Sequence, residues 1–214
     1  MKLNRRPVRG LLPVFVTLLI LFEIFAYTST VARPQDRFFQ LYALGSTGTA
    51  TNYYPNNSTA LLPGESLRWN LRVVNDMGSL QYVSIRVKLG NQTISPPNDT
   101  LGTPSPSPLI AEFNQFIPNN GTWQIPFVWQ VANYTTNSDG HIAIHAITIN
   151  NETYGIQDSV TCQSMSSCNL RMIFELWTWN VGTADFQIGW MAGNERQIAW
   201  LQLWFNLMPS VSHH

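Results

Sequence analysis

The chain has 214 residues, 12 Lys and Arg against 12 Asp and Glu, and 11% charged side chains, against roughly a quarter in a typical soluble domain. Balanced charge, with no Lys/Arg cluster beyond residues 1–10, excludes the electrostatic footprint of a nucleic-acid binder, which must displace counterions from phosphates. The length suits one sandwich or barrel, or two small domains, and we read one main domain.

Lys2, Arg5, Arg6 and Arg9 make residues 1–10 a basic, cytoplasmic N-terminus. In residues 11–27 only Pro13, Thr17 and Glu23 interrupt apolar side chains, and extension to Ala32 gives the length of a membrane span. Its Leu, Ile, Val and Phe residues favour insertion by about 5 kcal/mol against roughly 3 for Glu23, so residues 11–32 are predicted to be a transmembrane signal-anchor with the rest outside. Glu23, an ionisable group at membrane depth, is a candidate for pairing with another helix. Two other fates fit the same residues. Thr30-Val31-Ala32 before Arg33 suits a signal peptidase, and Arg9-Gly10-Leu11 resembles the processing site of archaeal type IV pilins.

After a short linker at 33–37 the hydrophobic period becomes two, predicting strands throughout an ectodomain at 38–207, with 208–214 as a tail. Candidates are 38–44, 67–73, 83–89, 109–116, 123–131, 141–149, 170–179, 186–190 and 197–205, with a turn at Asn75-Asp76-Met77-Gly78. Pro126, which lacks a backbone donor, predicts an edge strand or a bulge. Residues 95–108, with five prolines, are predicted to be a long exposed loop that supplies no packed face. The fold class expected is all-β, an Ig-like antiparallel β-sandwich preceded by one transmembrane helix.

Asn56, Asn57, Asn91, Asn98, Asn120, Asn133 and Asn151 each begin an Asn-x-Ser/Thr triplet, which predicts a glycosylated surface. Cys162 and Cys168, read as flanking a loop between strands, are predicted to form a disulfide, because their spacing fits neither a redox motif nor a zinc knuckle. His141 and His145 read as strand residues roughly 13 Å apart, too far for one ion to bridge. His213 and His214 form a short tail without a convergent carboxylate or thiolate nearby in sequence. Glu112 and Glu175 are expected on solvated faces. Trp177 and Trp179 share one face of a strand whose other face, Met172, Phe174 and Leu176, is also apolar. One face fills the core, and the other either packs on a neighbouring strand or forms a patch for a partner, a glycan or lipid. No nucleophile elbow, phosphate loop, zinc or calcium motif occurs, and no cofactor is expected.

The blocks Phe38-Phe39-Gln40-Leu41-Tyr42-Ala43-Leu44-Gly45-Ser46-Thr47-Gly48, Tyr54-Pro55, Pro63-Gly64-Glu65, Val74-Asn75-Asp76 and Leu89-Gly90-Asn91 appear in that order. In this order the chain resembles the ectodomain of the archaeal membrane-protein family known as domain of unknown function 1616. The resemblance covers residues 38–207 and implies an Ig-like sandwich and an archaeal envelope address. Members with several helices before the sandwich differ from this chain, which has one. The family has no activity or catalytic residue to carry over. The expectation is a binding or assembly module, not an enzyme, in contact with lipid and with other envelope proteins. The alternatives are an accessory subunit of a membrane enzyme and a pilin-like filament component.

Overall fold

The computed structural model describes residues 11–30, 37–137, 141–162 and 168–208. Outside them lie the basic N-terminus, the cleavage-like Val31-Ala32, most of the linker, residues 163–167 between the cysteines, and His213 and His214. The chain forms two units, an N-terminal helix and a β domain that begins at Arg37.

Helix α1 (Leu11–Thr30) has 20 residues, about 30 Å of rise, and its Pro13–Thr30 stretch is long and apolar enough to cross a membrane. Pro13 is tolerated in the first turn, where backbone N–H groups have no helical partner in any case. The hydroxyls of Thr17, Thr28, Ser29 and Thr30 bond carbonyls three or four residues earlier, which satisfies them inside the helix. Among the described residues Glu23 has no hydrogen-bond or ion-pair partner.

The β domain is an Ig-like sandwich, antiparallel except where the short β2 pairs in parallel with β13. Its first sheet contains β1 (Phe39–Leu44), β3 (Leu67–Asn75), β6 (Gly121–Thr136), β7 (Ile142–Ile149) and β8 (Glu152–Cys162), in the order β1-β3-β6-β7-β8. The second contains β2 (Ala60–Leu61), β4 (Gln81–Asn91), β5 (Leu109–Ile117), β9 (Asn169–Asn180) and β13 (Trp200–Leu207), in the order β2-β13-β9-β4-β5. β10 (Asp185–Ile188) extends the second sheet beside β9, while β11 (Trp190–Ala192) and β12 (Glu195–Gln197) form a separate hairpin. Alternation explains which side is inside: Leu67, Trp69, Leu71 and Val73 of β3 and Val83, Ile85, Val87 and Leu89 of β4 are all buried. Rings join the sheets across the core, with Phe127 against Phe174 at 5.0 Å and Trp129 against Phe205 at 4.9 Å.

Two expectations change. β8 is absent from the strands expected from the sequence, because Gly155, Gln157, Asp158 and Ser159 hide the alternation of Tyr154, Ile156, Val160 and Cys162. The strand carrying Pro126 is central, flanked by β3 and β7. Its pairing with β7 begins only at Trp129, however, and the Asn150 side chain takes over beyond that point, donating to the Pro126 carbonyl and accepting from Val128 N–H. The proline therefore sits where the strand is locally an edge.

Asn75, read as part of a turn, is fully buried and donates to the carbonyls of Ser79, Ile117 and Pro118 while accepting from Met77 N–H. One side chain thus satisfies the backbone of two connections.

Cys162 ends β8 and Cys168 precedes β9, and they are joined with Cα atoms 4.9 Å apart. The bond spans the crossover from one sheet to the other. Cys162→Ser/Cys168→Ser is expected to lower the unfolding free energy by about 2 kcal/mol, read by chemical denaturation. No measurable change would show that the strands alone hold the crossover.

Candidate binding face

Residues paired across an antiparallel ladder share a face, so the register defines the outer surface of the second sheet. On β9, Leu170, Met172, Phe174 and Leu176 point into the core, and Arg171, Ile173, Glu175, Trp177 and Trp179 point out. Tyr82, Ser84, Arg86 and Lys88 of β4, Glu112 and Phe116 of β5, and Trp200, Gln202 and Trp204 of β13 lie on the same outer face.

Charged and aromatic groups alternate along this face in one connected chain. Arg86 Nε donates to Glu112 at 3.0 Å, and its guanidinium lies 3.8 Å from the centre of the Trp177 ring. The Trp177 indole donates to Glu175, whose carboxylate is 3.1 Å from Lys88 Nζ. Glu175 is fully buried and Lys88 nearly so. This corrects the expectation of a solvated Glu175, while Glu112 remains at the surface.

The cover is the proline-rich segment 95–108. Ser105 N–H donates to Glu175 at 2.7 Å, and the Ser105 carbonyl accepts from Lys88. Arg171 donates to the Ile94 carbonyl and to Gln202, with its guanidinium 4.9 Å from the Trp204 ring centre. The Trp200 indole donates to Asp99. Ser105 and Ser107 are buried, so the segment is not wholly exposed as its composition predicted. Gly90 makes the approach possible, since a Cβ there would lie 2.7 Å from Ser107 Oγ. Ile173 is buried beneath this cover on the outer face, and burial lowers the Arg171 pKa. Tyr54, whose hydroxyl donates to the Trp204 carbonyl, has its pKa pushed up to about 12 by burial.

Trp177 and Trp179 share the outer face, as predicted, but serve different neighbourhoods. Trp177 is half-buried in the ionic chain. Trp179 is exposed and joins Tyr82, Phe116 and Phe186, with Tyr82 stacked on Phe116 at 4.3 Å and Trp179 edge-on to Phe186 at 5.2 Å. The sequence signal for this cluster was the aromatic content itself; its members come from four strands and meet only through the register.

Asn56, Asn57, Asn98, Asn120, Asn133 and Asn151 are exposed, and Asn56, Asn57, Asn120 and Asn151 have positive φ in turns. Asn91 is half-buried, with its amide donating to the Thr161 carbonyl and its oxygen accepting from Thr93 and Ile94. His145 bonds Thr135 across the ladder at 2.8 Å.

No family model matches the chain, and no curated protein matches it. Among solved structures it is similar to the CARDB domain of a Pyrococcus furiosus protein crystallised with di-metal ions, with a TM-score of 0.38 and 7% identity over 84% of this chain and 100% of that one. It is also similar to Spo0M, a sporulation control protein from Bacillus subtilis, with a TM-score of 0.33 and 10% identity over 80% of this chain and 49% of that one.

Proposed function

We propose that this chain is a single-pass, outward-facing surface protein that acts as a binding or assembly module of the archaeal envelope, with the outer face of the second sheet as its contact surface. The observation that carries this reading is the fixed Glu112–Arg86–Trp177–Glu175 chain. Trp and Arg dominate binding hot spots, and side chains already held in place lose little entropy on contact. The apolar helix, the disulfide and the exposed sequons support the outside address, as does the resemblance to domain of unknown function 1616. Glycans are proposed at the exposed sequon asparagines.

Glu23 favours a second reading, an accessory subunit of a membrane complex, because an intramembrane carboxyl without a local partner gains most from a group on another helix. One experiment separates the two. Native membranes carrying the parent, Arg86→Ala/Glu112→Ala or Glu23→Leu are solubilised in mild detergent, and companions are compared on native gels. Companions lost only from the Arg86/Glu112 variant support the sheet face; companions lost only from Glu23→Leu support the subunit reading. Identical migration and companions for all three chains would overturn both.

A further inference from the structure

The register brings a group of exposed and half-buried apolar side chains to the end of the sandwich where its chain begins. β1 runs antiparallel to β3 with Phe39 opposite Asn75, and Asp76 N–H donates to the Phe38 carbonyl at 3.0 Å. The turn 76–80 leads from there into β4, so Arg37, Phe38 and the start of β4 share this end. Here lie the rings of Tyr82, Phe116, Trp179 and Phe186, flanked by Leu80 at 60% exposure and Val181 at 85%. Trp190 fixes the arrival of the chain, its indole donating to the Arg37 carbonyl and its ring edge-on to Phe39 at 5.3 Å.

Six residues separate Thr30 from Arg37, and whatever their conformation they reach at most about 25 Å. The opposite end, which carries Leu62, is about 30 Å farther along the strands. If α1 crosses a bilayer, the aromatic end is therefore the one that the chain's own covalent reach holds beside the lipid.

We propose that this end is a lipid-contact surface, in which Tyr82, Phe116, Trp179 and Phe186, with Leu80 and Val181, settle into the headgroup region of the bilayer that α1 crosses. The inference rests on the anchor reading above. Trp and Tyr favour that depth because each ring joins an apolar body to a polar tip, and Leu and Val add apolar area. Among the described residues near this end, Arg37 and Arg196 are outnumbered by Asp76, Asp185 and Glu195, so no excess of basic side chains draws the contact to anionic lipid.

The test uses the full-length chain with an environment-sensitive fluorophore at Val181→Cys or, as control, at Leu62→Cys, which is also exposed. The chain is reconstituted in phosphatidylcholine vesicles with and without lipid carrying a nitroxide near the headgroup. The probe at 181 is expected to lose roughly half its emission to the nitroxide, the probe at 62 to keep it, and the difference to persist from about 0.1 M to about 1 M salt. Adding Phe116→Ser/Trp179→Ser, both on the solvent side, is expected to restore emission at 181. Equal emission at both positions in a chain that floats with the vesicles overturns the inference and leaves the anchor standing. A chain that does not float removes the anchor and the inference together. Quenching that follows the protein-to-lipid ratio, and not the nitroxide, assigns this end to a second copy of the chain and overturns the inference too.

Discussion

Replacing Glu175 with leucine is expected to lower the unfolding free energy by about 3–5 kcal/mol, the range for breaking a buried ion pair by removing one partner. The loss leaves Lys88 Nζ, Ser105 N–H and the Trp177 indole N–H against an apolar side chain. Lys88→Met strands the carboxylate instead, with a cost in the same range. The double variant Lys88→Met/Glu175→Leu should cost less than the sum of the singles by more than about 1 kcal/mol, since no unpaired charge is then left behind. The Ser105 amide should also lose protection from hydrogen exchange in either single variant, because the carboxylate that accepts its proton bond is gone or unbalanced. Additive costs in urea unfolding would show that water screens the pair.

Trp69→Ala is expected to cost about 3–5 kcal/mol, and with about 2–4 °C per kcal/mol for a domain of this size the melting temperature should fall by about 10 °C. The ring is fully buried against Phe127 at 6.1 Å, Trp129 at 5.1 Å and Phe174 at 6.2 Å. Its Nε1 donates to the Tyr53 carbonyl at 2.7 Å. Trp69→Phe keeps most of the apolar volume and removes that bond, for about 1–2 kcal/mol. Equal costs for the two substitutions would mean that the hydrogen bond, and not the ring, is what the core needs.

The strands were legible where one face is buried and the other wet. β3 and β4 alternate without a break, and period two needs no knowledge of the partner strand. In β9 a single acid, Glu175, in a run apolar on both faces marks a buried partner more readily than a solvated face. That partner, Lys88, is 87 residues away in sequence, and the cover over both comes from prolines and serines whose composition says only that they form no regular element. Docking of 94–108 rests in large part on backbone groups of Ser105 and Ile94, which carry no residue-type signature. The outer aromatic cluster is half visible in the sequence: Trp179 stands out beside Trp177, but Tyr82 and Phe116 join it only through a register that no single strand encodes.

The sulfur bridge also bears on the order of events during folding. Most strand pairs in this sandwich join segments far apart in the chain, and such topologies fold on the scale of milliseconds to seconds. Cys162 and Cys168 are only six positions apart, and segments that short meet in well under a microsecond. Oxidation therefore need not wait for the sheets to assemble. With two cysteines in the chain it has one intramolecular product, so shuffling between wrong pairings does not arise. The chain can therefore arrive at its slow step with the end of β8 already tied to the start of β9.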